Sequence, residues 1–241
     1  MTLSLRKMNI SHFRCYDAAR IDLTGGAHGN IVVLTGPNGA GKTNILEAVS
    51  LLVPGKGLRG ADAPDIKNRN AGPEDLWAVA AEIETADGET VRVGTGLDRE
   101  TQRRRVRIDG ENVKSQNALG ALFAAVWLTP QMDRLFLEGA SARRKFLDRL
   151  VAAFAPEHTA SLNRYEKAMR ERLRILQDAR SADPAWLEAL EARMAAEGVA
   201  VAAARRTLAE RLQGHAAILS AKAPLFPQPV LSLDGWTENE I

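Results

Sequence analysis

The chain has 241 residues, 45% hydrophobic and 26% charged, the proportions of an ordinary globular protein of one or two domains that buries a core without covalent staples. One cysteine excludes an internal disulfide framework, and the four histidines, His12, His28, His158 and His215, show no ligand spacing, which argues against a metal site built by protein alone. With 32 basic against 30 acidic residues, the net charge of +2 announces no nucleic-acid partner, so any such surface must come from local clustering.

Met1 to Lys7 carries no apolar segment of the signal-peptide kind and no run approaches membrane-spanning length, so a cytoplasmic protein is expected. Leu3 to Ile10 alternates enough for a strand with one buried face. Ala19 to Leu23 reads as its hairpin partner, ending at the Gly25-Gly26 turn. Between them, Ser11-His12-Phe13-Arg14-Cys15-Tyr16 puts Arg14 where a sheet edge meets the next loop; there it either reaches a phosphate or is simply solvated.

Ile31-Val32-Val33-Leu34 reads as a buried strand leading into Gly36-Pro37-Asn38-Gly39-Ala40-Gly41-Lys42-Thr43. A helix follows from Asn44 to Leu52, with Ile45, Leu46 and Val49 on one face. In this strand, loop and helix setting, G-x-x-x-x-G-K-[ST] is a phosphate loop. Glycines let the backbone wrap a polyphosphate with its N–H groups aimed inward at a helix N-terminus. Lys42 reaches the β- and γ-phosphates, and Thr43 offers a hydroxyl to Mg²⁺, which keeps most of its waters.

Residues 54–73 read as a long surface loop of the kind that contacts a base beside a nucleotide pocket. Trp77 to Ile83 and Thr90 to Leu97 form a hairpin about Asp87-Gly88, and Arg103 to Gly110 adds a further strand and turn. Arg103, Arg104, Arg105 and Arg107 make this the densest basic cluster, serving either as a solvated strand face or as contacts to DNA phosphates. Leu119 to Val126 looks helical. Val126-Trp127-Leu128-Thr129 looks like a short buried strand ending at Pro130-Gln131, where Gln131 is placed to coordinate Mg²⁺ or the attacking water.

From Ser141, read as an N-cap, residues 142–151 are helical with Phe146, Leu147, Leu150 and Val151 on one face, and Pro156 interrupts. Leu162, Tyr165, Met169, Leu173 and Leu176 follow helical spacing. Asp183-Pro184 caps a second long helix carrying Leu187, Leu190, Met194, Val201, Leu208, Leu212 and Leu219. The pair predicts an antiparallel arm, either a packed lobe or a contact to a second copy. Pro224, Pro227 and Pro229 end it, and residues 230–236 read as a strand returning to a sheet.

ATP hydrolysis by a phosphate-loop protein normally needs a second strand of apolar residues ending in Asp or Asp-Glu. No Asp-Glu dipeptide occurs, and no serine-glycine-rich motif for a partner's γ-phosphate is present.

The motif Ile10-Ser11-His12-Phe13-Arg14-Cys15-Tyr16, followed by Gly36 to Asn44, resembles the opening of the SMC-like branch of ABC-type ATPases. Gly139 followed by Arg143-Arg144-Lys145-Phe146-Leu147-Asp148 resembles the signature of the RecF family of bacterial recombination mediators. The resemblance implies an α/β fold: an ABC-type P-loop ATPase head over residues 1–140, an inserted antiparallel helical arm over 141–223, and the start of a returning strand over 224–241. It implies ATP and Mg²⁺ as cofactors, with Gly36, Pro37, Asn38, Gly39, Ala40, Gly41, Lys42, Thr43, Asn44 and Arg14 around the nucleotide, and Gln131 near the Q-loop position. It also implies an ATP-dependent homodimer on gapped DNA and single-strand/double-strand junctions that assists RecA loading with RecO and RecR in repair, replication and the SOS response. RecF proteins carry their signature and Walker B motifs after the arm, so a truncated chain that binds nucleotide without turnover is also expected. A small-molecule kinase or nucleotide hydrolase is the alternative, disfavoured because the chain spends some seventy residues on a striped helical hairpin. An importer or exporter ATPase is disfavoured by the missing motifs.

Overall fold

A computed structural model describes residues 3–25, 31–85, 87–177, 183–223, 225 and 228–235. They form two compact units, residues 1–127 and 128–241.

The first unit is built on a six-stranded antiparallel sheet in the order β2-β1-β3-β4-β5-β6. Its strands are β1 (Ser4–Phe13), β2 (Tyr16–Asp22), β3 (Ala78–Glu84), β4 (Thr90–Leu97), β5 (Arg104–Ile108) and β6 (Glu111–Asn112). Alternation assigns the faces: Met8, Ile10, Val79, Ala81, Ile83, Val93, Leu97 and Val106 are buried on one side. Helix α1 (Lys42–Ser50) adds Ala48 and, just past its end, Leu51 and Leu52 to the same core. Phe13 and Trp77 meet edge to face at 5.9 Å, and the Trp77 indole N–H donates to the Ala63 carbonyl at 2.6 Å. Within the expected loop after α1, Ala63–Ile66 forms a 3₁₀ turn that buries Ile66. A short α2 (Ala118–Leu122) completes the unit and stops well before residue 126.

Three expectations fail here for one reason: an apolar run becomes a strand only where a neighbouring backbone completes its ladder. Residues 31–34 are not a strand, and Ile31 and Val33 are 86% and 75% exposed. Residues 126–129 are not one either; Val126 in the first unit and Leu128 in the second are exposed. Residues 230–235 also lack strand structure. Gln213 holds this segment beside its own helix, donating to the Pro229 carbonyl at 3.1 Å and accepting from Leu231 N–H at 2.8 Å. Gly26, Pro224, Pro227 and Trp236 lie outside the described residues. In α1, Ile45 and Val49 pack on the core while Leu46 points outward.

The second unit holds a 3₁₀ turn (Pro130–Arg134), α3 (Ala140–Phe154), α4 (Glu157–Gln177) and α5 (Pro184–Lys222). Helix α3 starts one residue before Ser141, with Gly139 at its N-cap. Asp183 caps α5 through the Ala185 N–H at 3.0 Å, and Pro184 takes the first helical position. The antiparallel register of α4 and α5 is read from Arg164 with Glu197 and Arg172 with Glu191. Their seam differs from the apolar stripe read on α4. Ser161 and Ala168 are buried, whereas Met169, Leu173 and Leu176 face outward. Small side chains allow the close approach: a Cβ on Gly198 of α5 would sit 3.4 Å from the Tyr165 ring. Among the described residues no helix is long and apolar enough to cross a membrane.

Candidate nucleotide-binding site

The phosphate loop is shaped by its glycines. Gly36, Gly39 and Gly41 have φ of 143°, 84° and 93°, a region that L side chains avoid. Gly41 is constrained twice over, because a Cβ there would lie 2.5 Å from Tyr16 Oη and 2.8 Å from Cys15 Sγ. The tip of the β1–β2 hairpin thus presses on the loop. Tyr16 Oη donates to the Ala40 carbonyl at 3.4 Å, and Asn44 Nδ2 approaches Cys15 Sγ at 2.9 Å. The loop wraps its own lysine, whose Nζ donates to the carbonyls of Gly36 and Pro37 at 2.6 and 2.7 Å.

Gly41 serves as the N-cap of α1 without a side chain to cap it, and the first turn contains no acidic residue. Its N–H groups therefore face outward with the positive end of the helix dipole. Thr43 is exposed in that turn.

Sequence reasoning missed the electrostatic centre of the site. Glu47, one turn after Thr43, is 1% exposed. Its carboxylate accepts from Arg14 Nε at 3.0 Å and Nη2 at 2.6 Å, and from Arg59 Nη1 at 2.7 Å. Arg14 also donates from Nη1 to the Asp65 carbonyl at 2.7 Å, and Arg59 Nη1 reaches Asn44 Oδ1 at 2.9 Å. The available signal was a glutamate between Ile45, Ala48 and Val49, the residues of α1 that pack on the core. Such a residue is buried only when paired. Lys42, Arg14 and Arg59 against one carboxylate leave a cationic surplus at a helix N-terminus, an arrangement that fits a polyphosphate.

The basic strand divides. Arg104 faces inward, and all five of its guanidinium donations are spent. Nε donates to Thr95 Oγ1 at 2.7 Å, Nη1 to the Gly55 carbonyl at 2.6 Å and Gln116 Oε1 at 2.9 Å, and Nη2 to the Val53 carbonyl at 3.2 Å and to that of Leu51. Burial lowers its pKa to about 10, which leaves it charged at neutral pH as a clamp on the carbonyls of the turn that follows α1. As placed, this side chain has no donor left for a phosphate. Arg105 and Arg107 project from the opposite face, Arg105 pairing with Asp98 at 2.5 Å and Arg107 donating to Asn112 Oδ1 at 3.0 Å. Arg103 is exposed, with no ion pair among the described residues. Gln131 lies exposed in the 3₁₀ turn of the second unit.

In the second unit, Asp148, the last residue of the Arg143 to Asp148 motif, is buried where the three helices meet. It accepts from Arg205 Nε at 2.8 Å and Nη2 at 2.9 Å and lies 2.9 Å from His158 Nε2. Burial raises its pKa, but the bonds to His158 and Arg205 outweigh this and hold the carboxyl below the usual range.

Residues 7–183 match the AAA domain family. The DNA replication and repair protein RecF of Caulobacter vibrioides is 49% identical over 213 residues, 85% of this chain and 54% of that protein. Its namesake in Mesorhizobium japonicum is 45% identical over 98% of this chain and 61% of that protein. The chain thus spans somewhat over half the length of these relatives. Among solved structures, the recombination mediator protein RecF in its ATP form superposes with a TM-score of 0.79 at 22% identity, covering 92% of this chain and 58% of that one. This likeness establishes the fold.

Proposed function

Since the chain belongs to the AAA domain family and is RecF-like along most of its length, with the fold of an ABC-type ATPase head and a helical arm, we propose that it binds ATP with Mg²⁺ at Gly36–Thr43 and acts in DNA replication and repair. The observation that carries the reading is the glycine loop seated on the hairpin tip at Gly41. Apart from Pro37, the residues from Gly36 to Gly41 present backbone N–H groups to the phosphates, Lys42 neutralises the β- and γ-oxygens, and Asn44 and Arg14 hold the loop's flank. Thr43 supplies a hydroxyl to Mg²⁺. When bound, the metal draws charge from the terminal phosphates.

Nucleotide acts in this reading as the glue of a homodimer that clamps gapped DNA and single-strand/double-strand junctions, assisting RecA loading with RecO- and RecR-type partners. Such a switch needs a ligand that binds one state better than the other, and a polyanion at a cationic face supplies that difference. Arg103 and Arg105, on or beside the outward face of β5, are the candidate DNA contacts, and Arg104 acts behind them as a structural clamp.

Isothermal titration of the 241-residue chain with ATP and Mg²⁺ tests this directly. Saturable heat is expected from the wild type and none from Lys42→Ala, with the Lys42→Ala fold unchanged by circular dichroism. A folded wild type that gives no heat would overturn the proposal. On gapped duplex, Arg103→Ala with Arg105→Ala should weaken binding alike across sequences and reduce the salt dependence.

A further inference from the structure

We infer that Glu47 is a positioning residue of the nucleotide site: one buried carboxylate that holds two arginines, Arg14 from the β1–β2 turn and Arg59 from the loop after α1, ready for the phosphates of the nucleotide. The inference rests on the reading of residues 36–43 as an ATP loop and adds to it the group that arranges the surrounding charge.

Three observations converge. Glu47 is buried on the helix that the phosphate loop opens, and its carboxylate is shared by both guanidiniums, so the cluster keeps one positive charge in excess. An excess cation near a helix N-terminus opposes the macrodipole unless an anion joins it. Arg14 also holds φ of 54° in the two-residue turn between Phe13 and Tyr16, a conformation that glycine or asparagine would adopt more easily. Backbone strain at a residue whose side chain is fixed by three donations marks a position kept for that side chain. Finally, Arg59 Nη1 is pinned between Glu47 and Asn44 Oδ1, while its Nε and Nη2 make no hydrogen bond among the described residues and its side chain is 42% exposed. Those free donors lie beside the residue that follows Thr43, at the end of the helix where phosphate is held.

Two roles for Glu47 predict opposite outcomes. As a mere counter-charge, it weakens anion binding, and Glu47→Gln would tighten ATP. As a positioning group, it fixes two planar forks whose orientation is lost with the carboxylate. Fluorescent-ATP titration of the full 241-residue chain distinguishes them. Glu47→Gln should weaken ATP about tenfold or more, the worth of one or two charge-assisted hydrogen bonds. Arg59→Ala should cost a similar factor in the wild type but less than about twofold in the Glu47→Gln background, because the arginine is already misplaced there. Arg59→Lys, which keeps the charge and loses the fork, should behave like Arg59→Ala; it also decides the question if Glu47→Gln does not fold. ATP binding in Glu47→Gln equal to or tighter than wild type, additive losses, or full retention in Arg59→Lys would overturn the inference alone. A wild type that binds no ATP would overturn the phosphate-loop reading and this inference with it.

Discussion

Asp148→Asn should loosen the helical arm by about 3 to 5 kcal/mol, the cost of leaving one member of a buried ion pair without its counter-charge. The substitution nearly preserves shape, so the effect isolates charge and acceptor capacity. Asp148 spends both oxygens on Arg205 and one of them also on His158, so α3, α4 and α5 all depend on it. An asparagine keeps one oxygen acceptor, while the largely buried Arg205 loses the negative charge that it faces at position 148. The lower end of the range applies if the retained oxygen still serves Arg205. Because the chain forms two units, a single global unfolding energy is not the right observable. Hydrogen exchange of amides in α3 and in the middle of α5 reads the local opening energy. Protection changed by less than about 1 kcal/mol would refute the view that this carboxylate locks the three helices together.

The same group gives the arm an acid limit. The Asp148 carboxyl titrates lower when folded than the roughly 3.9 of an unfolded aspartate, so its stabilisation is complete above that value and is lost as pH falls through the folded pKa. Helical content followed at 222 nm below about pH 4 should therefore drop in the wild type, and Asp148→Asn should flatten that dependence. Arg104→Met leaves the carbonyls of Leu51, Val53 and Gly55 without their donor, and a loss of about 2 to 4 kcal/mol is expected in chemical denaturation of the first unit, with Arg104→Lys recovering only part. Gly41→Ala puts a methyl against Tyr16 Oη at a φ of 93°, so ATP affinity should fall by more than about tenfold in calorimetry while the sheet core stays folded.

Much of the site was legible because its signals are local. The phosphate loop announces itself through glycine and lysine spacing, and the hairpins through alternation about short turns. Asp183-Pro184 marked the start of α5 correctly, since a cap depends only on the next few residues. The Arg103 to Arg107 run shows the limit. A period of two says that successive arginines face opposite sides of β5, yet not that Arg104 would find the end of α1 beneath it. Glu47 was passed over for a similar reason, as its partners stand 33 residues before it and 12 after.

The amino-acid order alone determined the glycine-rich loop ahead of α1, the two long helices and the turns between the early strands, because each follows from contacts within a few residues. Tertiary structure alone decided which apolar runs became strands, which face of α4 met α5, and which arginines were spent on carbonyls and carboxylates. Those outcomes depend on whether a distant backbone or counter-charge is present to satisfy a polar group, and residues 31–34 show that an apolar run without such a neighbour stays exposed.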